Sequence, residues 1–170
     1  MAKRIWIVVT LATLALGAGY GFIKFGCYFI DRQDFISPIK TRGVPIRNDA
    51  YGDGDFGAKR SGQRLHLGVD ILSPIGTPVL AAKCGLVINA EYDRGLGNYV
   101  EILHRSGLVT IYAHLSKMEV YQGQRVCQGE KIGEVGKTGN AKNPLMLPHL
   151  HFEVRKFGIP QDPMIYLSEK

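Results

Sequence analysis

The sequence predicts an all-β domain, and three observations support this fold class. Short apolar runs rich in β-branched residues recur through the second half of the chain, and such runs are typical of strands. Turn signals such as Ser73-Pro74 and Ser106-Gly107 separate them. Outside the N-terminal apolar stretch, no segment carries the three-and-four apolar spacing of an amphipathic helix. The predicted strands are Leu65–Leu72, Pro78–Ala82, Leu86–Ala90, Tyr99–Leu103, Val109–His114 and Leu150–Arg155.

The N-terminal part of the chain predicts a membrane segment. Ile5–Ile23 contains no charged residue and follows Lys3-Arg4. Its 19 residues would span about 28 Å as a helix, close to the roughly 30 Å of a bilayer core. The basic flank favours export of everything that follows. A cleaved signal peptide is the alternative to an uncleaved anchor, because Gly17-Ala18-Gly19 offers small residues for cleavage. The predicted parts are 1–23 (signal anchor or signal peptide), 24–43 (juxtamembrane linker) and 44–170 (folded domain).

Side chains of the type that bind metals occur as pairs in two of the predicted strands. His149 and His151 are two residues apart, and because strand side chains alternate, both imidazoles share one face. His66 and Asp70 share a face in a strand or a helix, and the nearby Ser73-Pro74 and glycine disfavour a helix. Histidine and aspartate suit Zn²⁺, and three protein ligands would leave a fourth position for water. The pattern therefore predicts a zinc hydrolase in which three of these four residues bind the metal and one histidine is left for acid–base chemistry.

Two further histidines admit different interpretations. His114 lies near the end of the apolar, β-branched stretch Thr110–Leu115, and polar residues are common where a buried strand ends. Taken singly it would be interpreted as a buried core histidine, and taken with the two pairs it is a fifth candidate for the site. His104 precedes a Ser-Gly turn and is predicted to be a surface turn residue.

Three blocks of the sequence resemble the signature motifs of the lysostaphin-type (LytM) zinc metallopeptidases. The blocks are His66-x-x-x-Asp70, Tyr112-Ala113-His114-Leu115 and His149-Leu150-His151-Phe152-Glu153-Val154. Glycine-containing segments between the blocks are also similar, and the resemblance extends from about Val44 to Leu167. One departure is Leu147-Pro148, because the family usually has a small residue before that proline. The preceding loop, Asn140 to Leu147, is predicted to border the cleft.

The resemblance implies a fold, a site and an activity. The implied fold is a compact antiparallel β-sandwich with a narrow zinc groove. The implied zinc ligands are His66, Asp70 and His151, and the implied catalytic residues are His114 and His149, either of which could carry the proton. The family cleaves peptide bonds in peptidoglycan, so a zinc endopeptidase of the cell envelope is expected. The alternative is a non-cutting module of the same fold that binds the wall or activates another hydrolase.

Composition narrows the expected partners. The formal net charge of +6 comes from scattered basic residues without an accompanying nucleic-acid motif, so nucleic acid is not an expected partner. The expected partners are peptidoglycan, the membrane through the N-terminal segment, and a regulatory protein. Cys84 and Cys127 lie in turn-like contexts, and an exported domain can hold a disulfide between such residues. Their spacing alone leaves that pairing open.

Overall fold

The computed structural model describes residues 34–41 and 43–167, and the described part is built almost entirely from antiparallel strands. The strands are β1 (Asn48–Asp49), β2 (Gly52–Asp53), β3 (Val69–Leu72), β4 (Pro78–Leu80), β5 (Gly85–Asp93), β6 (Gly97–Leu103), β7 (Leu108–Met118), β8 (Arg125–Val126), β9 (Lys131–Val135), β10 (His149–Lys156) and β11 (Ile159–Gln161). Two 3-10 turns (Ser61–Gln63 and Gly139–Lys142) and the short helix α1 (Met164–Leu167) accompany them. The prediction of an all-β antiparallel fold is confirmed.

Strand β10 organises the larger sheet. β7 pairs along one edge of β10, while β3 and β11 share its other edge. The sheet continues from β7 through β6 and β5 to β8, and β9 joins both β7 and β4. β1 and β2 form a separate two-stranded hairpin. Every pairing is antiparallel, which explains why short turns are sufficient to connect most of the strands.

The core lies under the strands that meet at β10. Tyr112 and Phe152 are fully buried with ring centroids 5.3 Å apart, and Ile71 and Leu150 are buried beside them in the same cluster. Ile71, Leu150 and Phe152 alternate along β3 and β10 with Asp70, His149 and His151, because strand side chains alternate between faces. One face of β3 and β10 therefore packs the core, and the opposite face is available for the site.

All six strands predicted from sequence are present, with different limits. The run predicted as Leu65–Leu72 is a strand only over Val69–Leu72, because its first residues pair with a preceding loop instead of the sheet. Gly57 donates its N–H to the His66 carbonyl, and the His66 N–H bonds to Ala58. His66 and Asp70 are therefore close together although His66 lies outside the strand.

Residues predicted as linker pack against the domain. Ile39 is fully buried in the main core, and Phe35 packs against the same cluster. The Ile36 N–H bonds to Ala82, and the Leu80 N–H bonds to Pro38. The packed region therefore includes residues that precede Val44, the predicted start of the domain. The predicted membrane segment, 1–23, lies outside the described residues, among which no helix is long and apolar enough to cross a bilayer.

The prediction for His104 is wrong. Its side chain is buried, with Nδ1 2.9 Å from the Cys84 carbonyl oxygen and Nε2 2.8 Å from the Thr110 hydroxyl. The imidazole turns inward because both ring nitrogens find partners there. Cys84 and Cys127 are not joined in the structure, and the Cys84 sulfur instead accepts the Gln128 N–H at 3.1 Å.

Candidate metal centre and catalytic histidines

The register between β3 and β10 brings Asp70 and His151 together. The two residues are direct partners in the ladder, and His149 pairs with Leu72. Residues directly opposite in an antiparallel pair present their side chains on the same face. His149 joins that face because it precedes His151 by two residues in the same strand. Three of the five residues singled out from the sequence thus converge through strand pairing alone.

His66 reaches the same point because Gly68 allows a close approach of two backbones. A Cβ on Gly68 would lie 2.3 Å from the Phe152 carbonyl oxygen, far inside van der Waals contact. Only glycine fits there, and the chain can therefore pass tightly over β10 between His66 and Asp70. The His66 Nδ1–H donates to the Asp55 carbonyl oxygen at 2.9 Å, which turns Nε2 towards Asp70 and His151.

Three acceptor atoms face one another at the centre of this arrangement. His66 Nε2 lies 3.0 Å from His151 Nδ1 and 3.0 Å from Asp70 Oδ1, and His151 Nδ1 lies 2.8 Å from the same oxygen. The outer nitrogens of both rings point at oxygens that only accept, the Asp55 carbonyl and the Glu153 carboxylate. The outer nitrogens therefore keep their hydrogens, and in the metal-binding form, in which the inner nitrogen has no proton, each ring turns a lone pair inward.

A metal ion bound here would replace the proton between His151 Nδ1 and Asp70 Oδ1, and Zn²⁺ fits the donor set. Two imidazole nitrogens and one carboxylate oxygen are ligands of open, catalytic zinc sites. Tetrahedral zinc with bonds of about 2.0 Å would separate its ligand atoms by about 3.3 Å, close to the spacing here. His66, Asp70 and His151 form one potential metal-binding group, with ligand atoms within 4.8 Å of one another.

Buried partners contact the candidate ligand side chains from the side opposite the centre. Asp70 Oδ2 accepts hydrogen bonds from Arg47 at 3.0 Å and from Arg60 at 3.3 Å, which leaves Oδ1 for the centre. Burial opposes ionisation of Asp70, but hydrogen bonds with His151 and His66 hold the pKa of its carboxyl well below the usual range. Asp70 is therefore an anion at neutral pH.

Glu153 plays the corresponding role behind His151. The His151 Nε2–H donates to Glu153 Oε1 at 2.9 Å, and the other Glu153 oxygen pairs with Arg155 at 2.7 Å. Burial opposes a charged His151, but its bonds to Asp70 and Glu153 outweigh burial and raise the pKa of His151 to about 9. A proton and a metal therefore compete for the same Nδ1.

His114 and His149 flank the three acceptor atoms without joining them. Each donates a hydrogen bond from Nδ1–H to a backbone carbonyl. His114 donates to the Thr138 carbonyl at 3.0 Å, and His149 donates to the Leu147 carbonyl at 2.7 Å. Their ring centroids are 5.1 Å apart. Burial, with the neighbouring histidines, lowers the pKa of His114 to about 3. Burial also lowers the pKa of His149, although Asp70 acts in the opposite direction. Both rings are neutral at pH 7 and keep Nε2 as an acceptor.

His114 also has an unusual backbone. Its φ is +63°, and the register of β7 against β9 shifts just beyond it, between Leu115 and Lys117. A positive φ is uncommon for a residue with a side chain and is found at functional sites where the surroundings enforce it. Here the His114 N–H bonds to the Leu96 carbonyl, so β7 bends where the imidazole turns into the site.

A groove of about 620 Å³ passes over these residues. Arg60, Arg64 and Leu65 line one side, and Asn140 and Met146 belong to the loop on the other side. The sequence-based prediction that the loop from Asn140 to Leu147 borders the cleft is confirmed. The groove can therefore admit an extended chain past the two neutral histidines and the three acceptor atoms.

Sequence reasoning missed the residues that support the candidate ligands. Glu153 could have been found, since it follows His151 by two residues and shares its strand face. Arg47, Arg60 and the Asp55 carbonyl carry no comparable signal, because they approach through loops and through the backbone. Arg47 lies 23 residues before Asp70, and only the folded chain shows their contact.

Comparison with known proteins places this chain in a family context. The model of Peptidase family M23 matches residues 64–163, which is more than half of the chain. The peptidoglycan DD-endopeptidase ShyC of Vibrio cholerae is 41% identical over 100 residues, which cover 59% of this chain and 22% of that protein. The chain thus spans about a fifth of the length of this relative.

Solved structures show the same similarity. The catalytic domain of the antimicrobial peptidase lysostaphin from Staphylococcus simulans superposes with a TM-score of 0.57 at 31% identity, covering 76% of this chain and 91% of that one. A zinc-containing peptidase from Vibrio cholerae gives a TM-score of 0.59 at 36% identity, covering 72% of this chain and 40% of that one. Both structural similarities extend over most of the described residues.

Proposed function

The chain belongs to peptidase family M23, and from that premise we propose that it is a zinc-dependent endopeptidase that hydrolyses peptide cross-links of bacterial peptidoglycan. The observation that carries the proposal is the convergence of three acceptor atoms, from His66, Asp70 and His151, beside two neutral histidines in an open groove. The similarity to a peptidoglycan DD-endopeptidase supports the substrate class.

In this proposal, His66 Nε2, Asp70 Oδ1 and His151 Nδ1 hold the metal. Bound zinc would polarise the scissile carbonyl and lower the pKa of water. Asp70 brings one negative charge to the centre. Glu153 fixes the His151 ring through Nε2–H, as partners behind metal-binding histidines commonly do.

His114 and His149 move the proton. Each is neutral and presents Nε2 as an acceptor, because its Nδ1–H is already bonded to a backbone carbonyl. One of them takes a proton from the attacking water as its oxygen bonds to the scissile carbon. The resulting imidazolium then donates that proton to the leaving amine as the carbon–nitrogen bond breaks. While protonated, it also donates a hydrogen bond to the developing oxyanion.

In the same proposal, the N-terminal segment determines where in the cell the domain lies. The uncharged run Ile5–Ile23 either tethers the chain to the membrane or directs its export, and in both cases the domain lies in the cell envelope. Peptidoglycan is found on that side of the cytoplasmic membrane. A regulatory protein partner would control access to the groove.

The test is digestion of purified peptidoglycan. The zinc-loaded full chain, solubilised in detergent, is incubated with walls of several cross-link types, and released fragments are identified by mass spectrometry. His151→Ala serves as the matched control, because it removes one ligand atom. New amino termini produced by the wild type alone would support the proposal and identify the bond. No cleavage by folded, zinc-loaded protein would point to the non-cutting, wall-binding or hydrolase-activating module.

A further inference from the structure

The turn between β10 and β11 lies at the end of the domain opposite the metal centre. Along the ladder of β7 and β10, His151 pairs with Ala113, and Lys156 pairs with Leu108. At about 3.3 Å per residue, the five steps from His151 to Lys156 cover about 17 Å. Side chains at this turn are therefore remote from the groove.

Hydrophobic side chains are exposed at this turn. Phe157 is 80% exposed and Ile159 is 65% exposed. Phe157 and Gly158 have φ of 51° and 80°, as in a tight hairpin whose two central residues are both left-handed. Glycine, asparagine or aspartate normally occupies the first of these positions, and a bulky aromatic residue is a rare choice. The turn holds a phenylalanine in water at a position where a small polar residue would be less strained.

Two basic residues lie near these hydrophobic side chains. Lys156 is exposed and precedes Phe157. The Phe157 ring also packs against the turn between β6 and β7, since a Cβ built on Gly107 would lie 3.3 Å from it. The exposed Arg105 belongs to the same turn. The nearby acid Asp162 caps α1 by accepting the Met164 N–H. We call Arg105, Lys156, Phe157 and Ile159 the tip surface. Aromatic and aliphatic side chains among cations are typical of surfaces that contact anionic lipid headgroups.

The chain reaches the domain at the same end. Phe35 contacts His104, one residue before Arg105, with ring centroids 5.8 Å apart, and it contacts Tyr166 of α1 at 5.1 Å. Ten residues separate Ile23, the end of the uncharged run, from Asp34. Fully extended, they reach at most about 36 Å. A membrane that holds 1–23 is therefore within a short tether of the tip surface.

We propose that the tip surface rests on the anionic lipid headgroups of the membrane that anchors the chain, so that the groove faces away from the bilayer towards the wall. This inference rests on the tethered form of the proposed function. Lipid is favoured over a protein partner because the exposed hydrophobic residues, the cations and the attachment of the tether all occur at one end of the domain.

A single-tryptophan probe tests the contact. The sequence has one tryptophan, Trp6, so Trp6→Phe provides a silent background. Phe157→Trp is placed in that background. Tyr92→Trp is the matched control, because Tyr92 is 55% exposed and lies at the groove end of the domain. It is near the end of β5, just before the turn of Gly95 and Leu96 that lines the groove. The full chain is reconstituted in vesicles of phosphatidylcholine and phosphatidylglycerol, with and without brominated acyl chains.

The proposal expects a blue-shifted emission for Phe157→Trp and loss of most of it with brominated lipid, whereas Tyr92→Trp should emit as in water. Adding Lys156→Glu should reduce the quenching, and Lys117→Glu, whose side chain is 62% exposed on β7, should leave it unchanged. Emission of Phe157→Trp as in water, from protein that floats with the vesicles, would overturn the lipid contact and leave a protein as the occupant. Protein that does not float would overturn the tether itself, and wall digestion would still report separately on the peptidase.

Discussion

Replacing Glu153 with glutamine should weaken zinc binding without unfolding the domain. Glu153 Oε1 accepts the His151 Nε2–H at 2.9 Å, and the two side chains are only 3% and 9% exposed. A glutamine amide oxygen can accept the same hydrogen bond, so the ring stays oriented. The negative charge that makes His151 a better donor to a metal is lost. The variant therefore separates the electrostatic role of Glu153 from its geometric role.

The size of the effect follows from this contact. Loss of a carboxylate behind a metal-binding histidine typically costs about 10- to 100-fold in metal affinity. At about 1.4 kcal/mol per factor of ten, this is about 1.4–2.8 kcal/mol of binding free energy. We expect the lower half of the range, because the hydrogen bond survives and Arg155, which loses its partner, is partly exposed to water.

The assay is competition for zinc with a chelator of known affinity, using the purified full chain. Glu134→Gln is the control, because Glu134 is 28% exposed and pairs with Lys131 away from the site. Circular dichroism establishes that both variants are folded. Zinc affinity of a folded Glu153→Gln variant equal to that of the wild type would refute the reasoning about His151.

Three further predictions concern the same face and the core beneath it. His114→Ala and His149→Ala should each lower the rate of cross-link cleavage by about 10²- to 10⁴-fold while zinc stays bound, because in the proposed mechanism both residues transfer protons and neither is a ligand. Arg47→Met should destabilise the metal-free protein by about 3–5 kcal/mol in urea unfolding, because it removes the arginine that pairs with the buried carboxylates of Asp49 and Asp70. Phe152→Ala should cost about 3–5 kcal/mol in the same assay, since its fully buried ring leaves a cavity under the site.

Each of these predictions has a contradicting outcome. Zinc loss in His114→Ala would make that residue a ligand, and zinc content measured by atomic absorption decides the point. Arg60→Met is the control for Arg47→Met, because Arg60 is 22% exposed and contacts Asp70 at a longer distance. Equal urea midpoints for the two arginine variants would show that burial of Arg47 is not what matters. A small loss in Phe152→Ala would mean that the core collapses around the missing ring.

The strands that carry the site could be predicted from sequence because their apolar alternation is strong. β10 has the two-residue period of His149 and His151, and its core residues alternate with them. β9 was missed because Lys131–Val135 has a glycine at its centre and two charged residues, Lys131 and Glu134, next to its apolar positions. His104 was misassigned because its partners, the Cys84 carbonyl and Thr110, come from other strands. Turn context describes the backbone of such a residue, and tertiary contacts decide the direction of its side chain.

The loop that precedes β10 is attached at both ends, so its middle part can be replaced without moving the strands around it. The Asn140 N–H bonds to the Gly95 carbonyl at one end. At the other end, the Leu147 N–H bonds to Asp49 while the Leu147 carbonyl accepts from His149. The segment between, including Asn143 and Met146, borders the groove without holding a ligand. Loops of different length and composition can therefore be grafted between these two fixed points, so that the shape of the groove changes while the histidines keep their positions.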